Sequence, residues 1–284
     1  MDSFPPTEPA RVPFYLVDAF AERPFSGNPA AVVPLRSWLP DALMQGMAAE
    51  HNLSETAFLV PDVPGQWHLR WFTPTTEVEL CGHATLATAF VLASELGEKG
   101  DLRFRTLSGM LGVAREGERF VLDFPAKPPR PATAPPGLAA ALGAAPREVW
   151  RARDWICLFD SAETVRNLKP DHARIAALPD SGAPDGPARV IVTAAGDDGR
   201  HDIVSRYFAA RIGIPEDPVT GVAHVQLVPF WADRLGREAL VCHQASARGG
   251  TLWCERAGER VRIGGHAVLY ARGEILLPAL LPAG

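Results

Sequence analysis

Cysteine is scarce in this 284-residue chain: Cys81, Cys157, Cys242 and Cys254 are the four, and no two form a CxxC pair. So few thiols in a chain this long exclude a disulfide scaffold and leave reduced cysteines as the expectation. Surplus positive charge is also missing. The 28 Lys and Arg stand against 33 Asp and Glu, a formal net charge of −5, and the basic residues are scattered instead of gathered into a stripe. That excludes the electrostatic footprint of a nucleic-acid partner and leaves a small molecule as the expected one. No stretch reaches the roughly 18 uninterrupted apolar residues of a membrane span. The opening Met1–Ala10 lacks the basic segment and apolar run of a signal peptide. No membrane partner is expected, and the protein is expected to be cytoplasmic. Gly109–Gly112 and Gly249–Gly250 belong to no GxGxxG or Walker pattern. The eight histidines, His243 beside Cys242 included, lie at spacings without a ligand signature. Neither a nucleotide nor a metal is expected.

What is present is ample apolar material, 47% of residues, enough for two packed cores. Strand signals open the chain at Phe14–Phe20 and Ala30–Val33, around a turn-rich Arg23–Pro29. Pro40–Ala49 predicts a helix, Asn52–Val60 a strand with Glu55 at its start, and the alternating Trp67, Leu69 and Trp71 another strand. Cys81–Gly97 is apolar or small on every face from Ala84 to Ala93, so it predicts a helix buried all round, with Gly97 just past its end. Asp217–Gly236 is a matching unit. Gly82 to Gly221 and Gly97 to Gly236 share one offset of 139, and Gly117-Glu-Arg119 recurs as Gly258-Glu-Arg260 at 141. Three landmarks at almost one offset predict an internal duplication.

The proline cluster Pro125–Gly137 reads as the linker between the two copies. Ala139–Glu148 and Asp171–Leu178 read as short helices; Ala188–Ala194, Asp202–Phe208 and Arg260–Leu277 read as strands. The predicted fold is α+β with two similar lobes, residues 1–126 and 127–284, the last strand being free to return to the first lobe. Each lobe is a curved, mainly antiparallel sheet wrapped on one central buried helix.

Five elements lie in order across most of the chain: Val17–Phe20 with Gly27–Pro29, Asn52–Phe58, Cys81–Thr85, Ser205–Ala209 and Glu216–Gly221. Together they resemble the phenazine-biosynthesis PhzF-like family, which shares the diaminopimelate epimerase type of fold. The resemblance implies an isomerase with a cleft site between two lobes, no cofactor, and a homodimer. It also implies that Glu55 moves a proton on the substrate, with the catalytic positions His83 and Asp217 nearby. Gly82, Thr220, Gly221 and Val222 become the substrate-binding positions. Val222 stands where the family pattern commonly has a small hydroxyl residue, so the family's best-known substrate does not carry over.

The residues themselves support proton transfer. A proton shift needs a base, an acid and fixed dipoles for the charge that develops between them. The helix starts at Gly82 and Gly221 predict amides and positive dipole ends aimed at a substrate carboxylate from two sides. Glu55 has no counterpart in the second half, which favours one carboxylate shuttling a proton over two matched bases. Its apolar neighbours Leu53, Ala57 and Phe58 predict a raised pKa. Without the motif, Glu55 reads equally as a surface carboxylate, His83 as a bond at the helix start, and Asp217 before Pro218 as a turn or N-cap. A helix start would favour thiolate at Cys81, but the second half has no matching thiol, so Cys81 reads as a small buried structural residue. Two other outcomes stay open: a racemase or epimerase of the same fold, and a binding protein whose chemistry has lapsed.

Overall fold

Short runs of alternating or wholly apolar residues make strand the commonest regular element of this chain, as expected of sequence bounded so often by glycine and proline. The computed structural model describes residues 10–181 and 189–277. The leader reading at 1–9 and Ala188 lie outside them. The first half forms β1 (Ala10–Ala19), β2 (Asn28–Pro34), α1 (Asp41–His51), β3 (Glu55–Pro61), β4 (Gln66–Phe72), β5 (Glu77–Val78), α2 (Gly82–Ser94), β6 (Leu102–Thr106), β7 (Gly109–Glu116) and β8 (Arg119–Pro125). The second half forms β9 (Arg130–Pro131), α3 (Leu138–Leu142), β10 (Glu148–Arg151), β11 (Trp155–Leu158), α4 (Ala162–Asn167), α5 (His172–Ala176), β12 (Val190–Ala195), β13 (Ile203–Ala209), β14 (Ile214–Asp217), α6 (Gly221–Leu235), β15 (Ala239–Gln244), β16 (Gly250–Ala257), β17 (Arg260–Gly265) and β18 (Ala267–Leu277). The sequence reading lacks α4, whose six residues are too few to show a period; the Ser161 hydroxyl caps it by accepting from the Thr164 amide.

The pairings repeat. In the first half β1–β2 is antiparallel, β2–β3 parallel, β3–β4 and β4–β5 antiparallel, β4–β6 parallel, and β6–β7 and β7–β8 antiparallel. From β10 to β17 the same series of orientations recurs strand for strand. The internal duplication is thus visible in the hydrogen bonding as well as at the three sequence landmarks. Antiparallel pairing of β8 with β17 joins the two copies into one curved sheet, and β18 runs back along β1.

Because the sheet is continuous, so is the main core. Leu86, Val91 and Leu92 of α2 and Ala223, Leu227 and Val228 of α6 belong to one apolar cluster with residues of both halves, instead of two separate cores. Fully buried Trp71, Leu86 and Phe104 each contribute roughly 2–3 kcal/mol there. Smaller clusters under α1 and under α3, α4 and α5 cover the outer face. Threonine is tolerated inside α2 because Thr85 and Thr88 donate to the carbonyls of Cys81 and Ala84.

Helix α6 holds a proline in its interior. Pro229 has no N–H to offer the Val225 carbonyl, and the backbone amide of Lys127 donates to it instead at 2.9 Å. The proline-rich connection between the copies is therefore docked onto the second central helix at the place where that helix lacks a bond.

Gly27 sits between β1 and β2 with φ of 66°, and a Cβ there would lie 2.1 Å from the Ala19 carbonyl oxygen. Strain and overlap both oppose any side chain. Gly27→Ala is expected to cost about 3 kcal/mol, seen as a lower urea midpoint with an unchanged slope; a midpoint equal to wild type would contradict this packing.

Candidate active site

The starts of α2 and α6 come together with the starts of β2 and β3 and the end of β14. Glu55 opens β3, where it pairs with Ala30 of β2. His83 is the second residue of α2. Its Nε2 lies 3.4 Å from Glu55 Oε2, with the two side chains 7% and 14% exposed. On the other side of the ring, Nδ1 is 3.3 Å from Asn28 Nδ2 and 3.5 Å from Cys81 Sγ. Asn28, wholly buried at the start of β2, also donates to Asp217 Oδ1 and to the Val219 carbonyl, both at 2.9 Å. The structure thus brings Glu55, His83 and Asp217 into one group, spanning both copies, through a residue the sequence reading treats as part of a turn.

Thr220 is the N-cap of α6, but its hydroxyl does not cap the helix; it donates to Asp217 Oδ2. Asp217 is likewise no N-cap. Gln244, buried at the end of β15, donates to the Asp217 carbonyl at 2.7 Å and to Thr220 Oγ1 at 3.1 Å, and accepts from the Thr220 amide at 2.9 Å. Gly82 and Gly221 are the first residues of their helices. A Cβ at Gly221 would meet nothing within 4 Å, whereas one at Gly82 would touch the Phe124 ring at 3.7 Å. Val222 packs its side chain against the main core and accepts at its carbonyl from Gln226. Sequence reasoning misses Asn28 and Gln244. Asn28 is within the quoted Gly27–Pro29 segment; Gln244 carries no signal beyond a polar residue closing an apolar strand.

Burial sets the charges. It pushes the Glu55 carboxyl up to about 8, with the Asp217 charge adding to the rise and a bond from Cys81 opposing it. Asp217 is raised to about 6, also by burial first, against the bonds it accepts from Thr220 and Asn28. Burial lowers His83 to about 3. Near neutral pH Glu55 is therefore protonated, Asp217 is mainly ionised and His83 is neutral, so the 3.4 Å contact is between neutral groups and is no ion pair. Of the apolar neighbours expected to raise Glu55, Ala57 belongs to the main core, while Phe58 faces the outer cluster under α1.

The thiolate favoured by a helix start does not form at Cys81. Burial and the Glu55 carboxylate push its thiol well above the usual range, and this outweighs the Ala84 amide at the helix start. Cys157, Cys242 and Cys254 are buried on β11, β15 and β16, and the last two thiols are hydrogen-bonded neighbours. Glu55, Cys81 and His83 are a group of possible metal donors among the described residues, with ligand atoms within 4.8 Å of one another. A cation there would have to displace protons from both Glu55 and Cys81, which burial holds protonated. This donor set suits proton transfer better.

Comparison with known proteins places this architecture. Residues 17–273 match the family model described as phenazine biosynthesis-like protein (PhzC-PhzF). An uncharacterized isomerase of Pseudomonas aeruginosa is 53% identical over 266 residues, covering 93% of this chain and 98% of the relative. The phenazine biosynthesis-like domain-containing protein of Homo sapiens is 36% identical over 288 residues, with 93% and 99% covered. A PhzF family crystal structure from Enterococcus faecalis superposes with a TM-score of 0.90 at 46% identity, covering 94% of this chain and 100% of the other. A hydroxyproline epimerase from Agrobacterium vitis shares the fold alone, with a TM-score of 0.60 at 12% identity, covering 95% and 94%.

A carboxyl with a raised pKa stabilises the fold fully below its unfolded value of 4.5, and that contribution is lost as pH rises towards about 8. Glu55→Gln removes the loss. The variant is expected to match wild type in unfolding free energy near pH 5 and to exceed it near pH 8, by an amount on the order of 3 kcal/mol. A difference that stays constant with pH would show that Glu55 titrates normally.

Proposed function

The chain belongs to the phenazine biosynthesis-like (PhzC-PhzF) family, and on that premise we propose that it is a cofactor-independent isomerase moving a proton on a small carboxylate-bearing substrate. The cleft between the two copies is the proposed site, with Glu55 as its general acid and base. The carrying observation is a buried carboxyl raised to about 8 beside a neutral imidazole. Such a group is a strong enough base when ionised and a ready acid when protonated, because its pKa lies near the working pH. His83 and Asp217 would orient the substrate. The first-turn amides at Gly82 and Gly221 would meet its carboxylate, with Thr220 and Val222 lining the second helix start.

The duplication supports a one-sided mechanism. The strand that corresponds to β3 is β12, which begins at the wholly buried Val190, so no second carboxylate mirrors Glu55. The residue that corresponds to Cys81 is Thr220, both being N-caps, so a pair of thiols is absent from these helix starts. One carboxylate that removes a proton and returns it on the same face of the substrate fits this asymmetry. Racemisation or epimerisation is the second reading. Asp217, raised to about 6 and reaching the site from the other copy, favours it as a second proton-transfer group.

Incubation with candidate small carboxylates in deuterium oxide, read by mass spectrometry and stereochemical analysis, separates the two outcomes. Isomerisation moves the hydrogen to a different carbon, with solvent label there to the extent that the Glu55 proton exchanges before its return; epimerisation returns a hydrogen to the same carbon on the opposite face. Glu55→Gln is expected to lower exchange and turnover roughly 10²- to 10⁴-fold. With Glu55 acting first as base, kcat/KM is expected to rise with pH and level off above about 8. Near-normal turnover in the glutamine variant would remove Glu55 from the mechanism. Tight binding with neither turnover nor exchange in the wild type would mark a lapsed enzyme.

A further inference from the structure

Neutral imidazole has two tautomers, and which one His83 adopts decides whether it can donate to Glu55 or only accept from it. The atoms around Nδ1 settle the matter. The amide nitrogen of Asn28 faces Nδ1 at 3.3 Å, and an amide NH2 group donates only. The two amide hydrogens are directed first at the nearer acceptors 2.9 Å away, so Nδ1 shares one of them, and the other atom facing Nδ1 is the Cys81 sulfur at 3.5 Å, a weak acceptor; neither would receive a proton on Nδ1 well, so its lone pair is placed there.

The conclusion holds only if the Asn28 amide cannot turn over, and the second copy prevents that. The same nitrogen lies 2.9 Å from Asp217 Oδ1 and 2.9 Å from the Val219 carbonyl. Turning the amide would set its oxygen against a carboxylate and a carbonyl, three acceptors together in a wholly buried place. Asn28 Oδ1 is buried and has no hydrogen-bond partner among the described residues, so the amide acts entirely through its nitrogen. A buried acceptor left without a partner is destabilising, a cost the fold carries for this arrangement.

We propose that Asn28 is a positioning residue that holds His83 in the tautomer with its proton on Nε2, facing Glu55, and that Asp217 and Val219 of the second copy fix Asn28 for this task. His83 Nε2 and Glu55 Oε2 are both buried without a hydrogen-bond partner and lie 3.4 Å apart. A shift of a few tenths of an ångström completes a bond from Nε2–H to the carboxyl oxygen, the kind of tightening catalytic pairs undergo when substrate binds. His83 then donates to Glu55 or to a substrate oxygen and never takes a proton. The halves are coupled by this geometry: separating Asp217 from Asn28 frees the amide and with it the imidazole.

The activity part of this inference rests on the isomerase reading, but the tautomer does not. Nitrogen-15 NMR of the histidine-labelled full chain, with His83 assigned by His83→Gln, reads the protonated ring nitrogen directly. The expected result is a protonated Nε2 and a bare Nδ1. Asn28→Asp keeps the shape but replaces the donor by an acceptor and is expected to move the proton to Nδ1. Asn28→Ala, which adds no charge beside Asp217, is expected to give a mixture of tautomers in a folded protein. Turnover is expected to fall roughly 10- to 100-fold in both variants, mainly in kcat, with Asn28→Ser recovering part of it through a hydroxyl donor. A protonated Nδ1 in the wild type, or an unchanged tautomer in both Asn28→Asp and Asn28→Ala, would overturn the proposal. Failure of the isomerase reading would show separately, as a wild type with the expected tautomer and neither turnover nor exchange on any substrate.

Discussion

A carboxyl group taken out of water with no cation beside it holds its proton to a higher pH, and this constraint organises the site. Glu55 and Asp217 are both raised chiefly by burial, and among the described residues no guanidinium or ammonium counts among the groups that act on either. What offsets the cost is polar but uncharged. Asn28 and Thr220 donate to Asp217, Gln244 holds Thr220, and His83 faces Glu55 as a neutral ring. Replacing any of these donors by a cation would lower both acids towards their ordinary values and weaken Glu55 as the base of the proposed chemistry.

The fold delivers those groups by duplication and then departs from it. Repeated pairing gives each copy a central helix, the sheet continues from one copy to the other through β8 and β17, and Asn28 bonds to Asp217 and Val219 just before the second helix start. Equivalent positions then carry different chemistry. Cys81 and Thr220 are both N-caps, yet one sulfur is close to His83 and the other residue supports Asp217. Glu55 opens β3, whereas Val190 opens β12. A symmetric frame thus holds an asymmetric group of side chains, and Asn28 is the hydrogen-bonded link across it.

Much of the fold was legible because it is written in short-range signals. The all-apolar run from Ala84 to Ala93 and the glycines near both helix ends are local features that predicted the two central helices, whereas the proline cluster, read as a plain linker, contains β9, which pairs with β10. Glu55, His83 and Asp217 were legible only through the motifs around them, since each read alone has an ordinary structural explanation. Asn28 and Gln244 were not legible as site residues, because their contacts lie 189 and 27 positions away at Asp217 and exist only once the strands pair. The sense of the Cys81 shift was also hidden. The helix start favours thiolate, and only the burial and the Glu55 neighbour seen in three dimensions reverse it. Docking of the proline-rich connection onto Val225 was equally invisible, because an interior Pro229 signals a missing bond without saying which amide supplies it.

The central claim is that Glu55 holds its proton near neutral pH. Isotope-edited infrared difference spectra of wild type against Glu55→Gln across a pH series test it most directly, because the carbonyl stretch of a carboxylic acid is distinct from the bands of a carboxylate. The account predicts a carboxylic acid band at pH 6.5 that is missing in the variant and disappears from wild type only as pH passes about 8. A Glu55 that is already carboxylate at pH 6.5, losing its acid band near 4.5, would contradict it.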